Sequence, residues 1–162
     1  MDEVDRIVAA WGRERPDLAF EPLQVVSRVW RLARHVERLR RNAFAVAGLE
    51  PWEFDVLSAL RRHGSPHEMS PTALVAETMV TSGTMTNRID RLVARGLVER
   101  RTDETDRRVI RVAMTDRGRA HVDAAIETLL QAERLILDRL PEADRARLEE
   151  SLRLLGEGFG AP

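Results

Sequence analysis

The stretch GLVERRTDETDRRVIRVAMTDRGR, residues 96–119, has arginines toward both ends, acids in its middle and an alternation of apolar and polar residues on either side. Such alternation is typical of two strands that bury one edge. The apolar positions are Leu97, Val98, Ile110, Val112 and Met114, and the segment TDETDRR between them predicts an exposed tip. We therefore expect a β-hairpin, and the question it raises is what so much arginine does there.

Two short helices are predicted directly before this hairpin. SPTALVAETM (70–79) and TSGTMTNRIDRLVARG (81–96) each open with a Ser or Thr that can cap a helix, and the second closes at Gly96. Two short helices, a tight turn and a hairpin follow one another in the order of a winged helix-turn-helix, whose second helix enters the DNA major groove. The hairpin is then the wing, and its arginines, Arg107 and Arg108, reach phosphates or a minor groove. A solvated charged hairpin is the alternative interpretation of the same tip.

The rest of the chain is predicted to be helical. Apolar residues recur at three- and four-residue spacing over 2–14, 22–46 and 51–63, and again over 116–139 and 141–155, while SPHEMS (65–70) is predicted to be a loop. We expect a mainly α protein with a two-stranded β-wing. Residues 47–115 would form the winged helix-turn-helix region, and the helices of 1–46 and 116–162 would form a dimerisation region.

Composition and charge narrow the class of protein. A chain of 162 residues without cysteine has the length of one compact unit and excludes disulfides and thiolate metal sites. The net charge is only −1, but positive charge, all of it arginine, is concentrated in 28–45 and 81–119. No apolar segment approaches the length needed to span a bilayer. We expect a cytoplasmic protein with no membrane partner.

Catalytic and metal sites are not expected. The histidines are dispersed, and His63 and His67 flank a Gly and a Pro in HGSPH, which excludes a helical metal-binding pair. The sequence contains neither a Ser-His-Asp pattern nor a phosphate-binding loop. We therefore expect no enzyme activity and no cofactor.

The segment LVERRTDETDRRVIRVAMTDRG closely resembles the wing signature of the MarR family of transcriptional regulators, and the helix order matches that family over essentially the whole chain. The resemblance implies a homodimer joined through its N- and C-terminal helices, with two winged lobes on a pseudo-palindromic operator in double-stranded DNA, usually as a repressor. On the recognition helix the candidates for base or phosphate contact are Ser82, Thr84, Thr86, Asn87 and Arg91.

The helix containing Trp11 and the loop RERPDLAFEP after it resemble the urate-responsive branch of the family and its relatives that respond to aconitate or citrate. This resemblance implies that Trp11 and Arg100 contact a small anionic effector such as urate or a tricarboxylate. It also implies that Asp55 interacts with Arg88 of the recognition helix.

The positions of these residues in the sequence also support an interaction between Asp55 and Arg88. Arg88 shares a helical stripe with Met85, Ile89 and Leu92, which predicts that it points toward the core and needs an anion, and Asp55 is the acid on an otherwise apolar part of its helix. A purely structural salt bridge is the alternative for this pair.

Trp11 and Arg100, the two residues expected to contact the ligand, also have alternative roles that involve no ligand. Trp11 fits dimer packing as well as ligand contact, and Arg100 fits a phosphate contact or a solvated side chain. For the whole protein the alternative is a dimeric helical interaction module whose basic wing contacts an acidic protein without sequence-specific DNA binding.

Overall fold

The computed structural model describes residues 1–102 and 109–158, and the described chain is mainly helical, as predicted. It divides into two compact units at Asn42, within the second helix. Among the described helices, none has the length and apolarity that crossing a bilayer requires. The elements in chain order are α1 (Glu3–Glu14), α2 (Glu21–Val46), α3 (Pro51–His63), β1 (Glu68–Met69), α4 (Pro71–Thr78), α5 (Ser82–Ala94), β2 (Val98–Thr102), β3 (Ile110–Met114), α6 (Asp116–Leu137) and α7 (Glu142–Glu157).

The first unit holds α1 against α2 by ion pairs at the start of α1. Asp2 and Asp5 form a capping box, each side chain accepting a hydrogen bond from the other residue's backbone amide. Arg28 of α2 donates to both carboxylates, at 2.8 Å to Asp2 and 2.7 Å to Asp5, and Arg31 pairs with Glu3 at 2.5 Å. The first turn of α1 is therefore fixed to α2 by charge.

The core of the second unit is built around α3. Val56, Leu57 and Leu60 have essentially no exposed surface, and α3 contacts α4, α5, α6 and the sheet. Near its start, Phe54 stacks on Phe44 with ring centroids 4.0 Å apart. Because α3 is anchored from several sides, side chains on its first turns have fixed positions relative to α5.

Short polar side chains begin the helices that follow. Ser70 caps α4, Thr81 caps α5, and Thr115 caps α6, each accepting a hydrogen bond from the backbone amide three residues on. The predicted caps at Ser70 and Thr81 are confirmed. These caps define a helix-turn-helix of α4 and α5 that ends at Gly96, whose φ is +66°.

The sheet has three antiparallel strands in the order β1-β3-β2, not the two that were predicted. Glu68 and Met69, predicted to lie in a loop, pair with Ala113 and Val112 of β3. They do so because β3 would otherwise present an unpaired edge of backbone groups. The wing strands β2 and β3 pair as expected.

The start of α6 lies in close contact with the start of the wing. Thr115 donates from its hydroxyl to the carbonyl of Gly96, at 2.8 Å. A Cβ atom at Gly118 would stand 2.1 Å from the carbonyl oxygen of Leu97, far inside contact distance. Glycine is required at 118, and the first turn of α6 is joined directly to the residues that end the helix-turn-helix.

Candidate nucleic-acid interface

The recognition helix α5 has one buried face and one polar, exposed face. Met85, Ile89 and Leu92 are at most 1% exposed and pack into the core. Five of the predicted DNA-contacting side chains belong to this helix, and all five occupy exposed positions: Ser82, Thr84, Thr86, Asn87 and Arg91. Their part in DNA contact stays a prediction.

Arg88 was predicted to point toward the core, but its side chain does not enter it. It is half-buried, and its guanidinium lies over the ring of Trp52 of α3, with the guanidinium carbon 5.9 Å from the ring centroid. Arg88 lies at the edge of the buried stripe, so its long side chain reaches out along the neighbouring helix. The ion pairs within the described residues do not join Arg88 to a carboxylate.

Trp52 also lies beneath a second guanidinium. The guanidinium carbon of Arg91 is 4.5 Å from the centroid of the same ring. Together these side chains line a cleft of about 510 Å³ on the α5 face, and among the residues that the structure describes its lining contains no acid: Trp52, Gly83, Thr84, Asn87, Arg88 and Arg91. The cleft is suited to anions, and DNA phosphate is one.

The buried acid of α3 is Glu53, which the sequence analysis missed. Glu53 is 1% exposed and accepts hydrogen bonds from the backbone amide of Glu50, at 2.9 Å, and from Arg95 at the end of α5. Arg95 also donates to the carbonyl of Gly48, at 2.8 Å. This contact fixes the C-terminal end of α5 to the start of α3.

Asp55, chosen from the sequence as the acid on an apolar stretch, lies on the exposed side of α3. Glu53 and Asp55 lie on different sides of α3 because two residues along a helix turn the side chain by more than half a revolution. The interior position belongs to Glu53, and Arg88 lies over the ring of Trp52, while the interaction of Arg88 with Asp55 stays a prediction.

Arg100, at the start of the wing, contacts the recognition helix. It is exposed, and its guanidinium pairs with the carboxylate of Asp90 on α5 at 2.5 Å. This ion pair ties β2 to α5. The wing-tip residues Arg107 and Arg108 lie outside the described residues.

Trp11 belongs to the first unit, and the other three predicted ligand-site residues, Asp55, Arg88 and Arg100, belong to the second. Its ring is half exposed and stacks on Phe20, with centroids 6.0 Å apart. It lines a mainly apolar cavity of about 310 Å³ together with Ile7, Ala10 and Glu14.

Comparison with known proteins agrees with this arrangement. The sequence profile of the MarR family matches residues 47–109. The chain is 36% identical over 150 residues to the HTH-type transcriptional regulator PecS of Dickeya dadantii, covering 93% of this chain and 90% of PecS. It is 31% identical over 136 residues to the HTH-type transcriptional repressor NicR of Pseudomonas putida, covering 82% and 84% of the two chains.

Solved structures share the fold at lower identity. A MarR family protein from Bacillus stearothermophilus superposes with a TM-score of 0.74 at 20% identity, over 89% of this chain and 99% of that one. A mutant MarR from E. coli in complex with operator DNA gives 0.66 at 23% identity, over 85% and 98%. The matched relatives are transcriptional regulators and not enzymes. The chain belongs to the MarR family of DNA-binding transcriptional regulators.

Proposed function

We propose that the protein is a homodimeric repressor that binds a pseudo-palindromic operator through α5 and the wing and leaves it when a small anionic ligand binds. The observation that carries this proposal is the exposed polar face of α5 beside a cleft whose described lining has two guanidinium groups and no acid. Asn and Arg side chains on a recognition helix can pair with base edges, and guanidinium groups bind phosphates.

Homodimerisation is supported by the apolar surface of the C-terminal helices. Among its described residues, α7 has no buried one. Large apolar side chains nevertheless remain exposed on α6 and α7, and they include Leu130, Leu135, Leu137, Leu148, Leu152, Leu154 and Leu155. A surface of this kind marks an interface, and a twofold axis through it gives two α5 helices that read two related half-sites.

Repression is supported by two matched relatives whose names describe them as repressors, NicR and YetL of Bacillus subtilis. In a repressor, occupancy of the operator by the free protein blocks transcription, and the ligand lowers that occupancy. We place an anionic effector at Arg100 and Trp11. Arg100 already holds a carboxylate, that of Asp90, so an anion at Arg100 competes with a residue of the recognition helix itself.

Footprinting on the DNA upstream of the protein's own gene tests operator binding. We expect a protected site with two half-sites, and an affinity that falls steeply with salt because bound phosphates release counterions. Arg91→Ala is the control that keeps the fold and removes one phosphate-binding side chain. Absence of a footprint together with a flat salt response would instead favour the protein-interaction module.

The same footprint, repeated with urate and with citrate or aconitate, tests the effector. A coupling of about 1–3 kcal/mol is typical of ligand-responsive proteins and corresponds to a loss of roughly 5- to 150-fold in DNA affinity. The ligand can cause this only as far as it prefers the DNA-free conformation. If no anion of either class changes the footprint, the effector belongs to another chemical class.

Variants separate ligand binding from its transmission to DNA. We expect Trp11→Phe and Arg100→Ala to weaken ligand binding in calorimetry. Asp55→Asn should leave ligand binding and DNA binding intact and reduce release of DNA, because the variant lacks the carboxylate charge that the anionic ligand is proposed to repel. Wild-type ligand affinity in the first pair would remove Trp11 and Arg100 from the site.

A further inference from the structure

Trp52 lines the cleft beside α5 and contacts two arginines of the recognition helix. Its half-buried ring lies under Arg91 at 4.5 Å and under Arg88 at 5.9 Å. Arg88 and Arg91 are three residues apart on α5, so their side chains are neighbours on one helix face. One ring of α3 therefore orders two cations of α5.

Two other arginines at this end of the molecule are neutralised. Arg95 donates to the buried carboxylate of Glu53, and Arg100 pairs with Asp90. Within the described residues, Arg88 and Arg91 have an indole where those two have a carboxylate. No ion pair among the described residues compensates their positive charge on the side of α5 that is lined by Thr84 and Asn87.

An aromatic ring and a carboxylate differ in which hydrogen-bond donors of a bound guanidinium they leave available. A guanidinium over a ring is held through its planar face, whereas its N–H groups lie in the plane and remain able to donate. A carboxylate would occupy up to two of the five N–H donors and would also neutralise the charge. A ring beneath the cation thus fixes its direction and preserves its capacity to bind phosphate.

Trp52 is well placed to hold that direction. It lies in the first turn of α3, whose residues Val56, Leu57 and Leu60 are fully buried. Free arginine side chains lose considerable rotamer freedom when they bind, and a preformed orientation reduces that loss. The ring is thus attached to a helix that is anchored in the core of the unit.

We propose that Trp52 is a positioning residue for DNA binding: its indole ring holds the guanidinium groups of Arg88 and Arg91 in the orientation in which they bind the phosphates of the operator. This inference rests on the proposed function of α5 as the DNA-contacting helix. It adds a residue of a different helix, α3, to the determinants of operator affinity.

The test is a double-mutant cycle on operator affinity. Trp52→Leu keeps an apolar side chain but removes the ring, and we expect it to weaken binding about tenfold, equivalent to about 1.4 kcal/mol. Trp52→Phe keeps a ring and should stay within about threefold of wild type. In an Arg88→Ala/Arg91→Ala background, Trp52→Leu should have almost no further effect, because no guanidinium remains to be positioned.

A second variant avoids any change in α3 and covers the case in which Trp52→Leu does not fold. Arg88→Lys/Arg91→Lys keeps both charges and removes the planar groups. We expect about tenfold weaker binding with an unchanged dependence on salt, because the number of neutralised phosphates is the same.

Three results would overturn the inference: wild-type affinity of folded Trp52→Leu, an equal loss in the double-alanine background, or wild-type affinity of the lysine variant. Failure of the wild-type protein to bind operator DNA would instead refute the proposed function. The two failures are therefore distinguishable.

Discussion

At the scale of single residues, Glu53 connects stability to the position of the recognition helix. Its carboxylate is buried and bonded to Arg95, which follows the last residue of α5, and to the amide of Glu50. A buried charge that loses its partner is costly, whereas an exposed pair contributes little. The same chain offers an exposed pair for comparison, Arg100 with Asp90.

Glu53→Gln is expected to destabilise the protein by about 1–3 kcal/mol, less than for a fully buried pair because Arg95 is partly exposed. Asp90→Asn, which removes a carboxylate from an exposed arginine, should cost less than about 1 kcal/mol. Urea unfolding of both variants measures the difference. Equal effects of the two would show that burial of Glu53 adds nothing.

Sequence reasoning located the exposed side of α5 but not the residues that support it from α3. Met85, Ile89 and Leu92 are spaced so that they fall on one face of the helix, and this spacing is visible in the sequence. Because that face is buried, the polar residues of α5 lie on the exposed face. In LEPWEFD, by contrast, three acids and a Trp lie within seven residues. Which acid turns inward depends on the exact phase of α3, and the contacts of Trp52 depend on how α3 packs against α5.

At the scale of elements, α1 is attached to α2 by charges that titrate in acid. The pKa of Asp2 is lowered by a hydrogen bond from the backbone amide of Asp5 and further by Arg28, and the pKa of Asp5 is lowered by the amide of Asp2 and by Arg28. Both folded pKa values lie below the ordinary value of 3.8. The stabilisation is therefore complete above that value and is lost as pH falls below it.

We expect the contact between α1 and α2 to loosen in acid, below about pH 4. The fluorescence of Trp11 in a Trp30→Phe/Trp52→Phe background reports it. Asp2→Asn/Asp5→Asn should already be loosened at neutral pH and show no such transition, whereas Asp17→Asn, which affects only a local pair with Arg15, should titrate as wild type does. A wild-type transition in the double asparagine variant would contradict the role of these carboxylates.

The wing is the second element with a direct test. Arg107→Ala/Arg108→Ala should weaken operator binding and lower the slope of log affinity against log salt by about one for each phosphate that is no longer neutralised. Circular dichroism and light scattering provide the control for fold and assembly. A folded variant with unchanged affinity and slope would remove the tip arginines from the interface.

The elements themselves were largely predictable, with β1 as the instructive exception. The helix starts at Ser70 and Thr81 could be predicted because a side-chain cap is a local interaction. Glu68 and Met69 form a strand only because β3 lies beside them, and two residues are too short to show alternation. Elements defined by their neighbours cannot be predicted from local pattern.

At the scale of the whole molecule, assembly is proposed to depend on the apolar side of α7. Removing residues 141–162 should give a monomeric or unfolded protein that does not bind a full operator, because the exposed leucines lose their partner surface. Leu152→Glu/Leu155→Glu tests the same surface without shortening the chain. Arg147→Ala, on the same helix, is the control that should remain dimeric. Sedimentation analysis distinguishes these states, and a dimer of the truncated protein would refute the assignment.

The close approach at Gly118 limits which sequences can evolve from this one. Even alanine, which favours helices, would place its methyl group against the carbonyl of Leu97, and backbone cannot yield as a flexible side chain can. Gly12 and Gly156 have open space around the same atom. In a library that randomises these three codons and is selected for operator binding, the two open sites should diversify while codon 118 keeps only glycine. A different join between α6 and the wing would then require a shift of the backbone and not only a change of side chains.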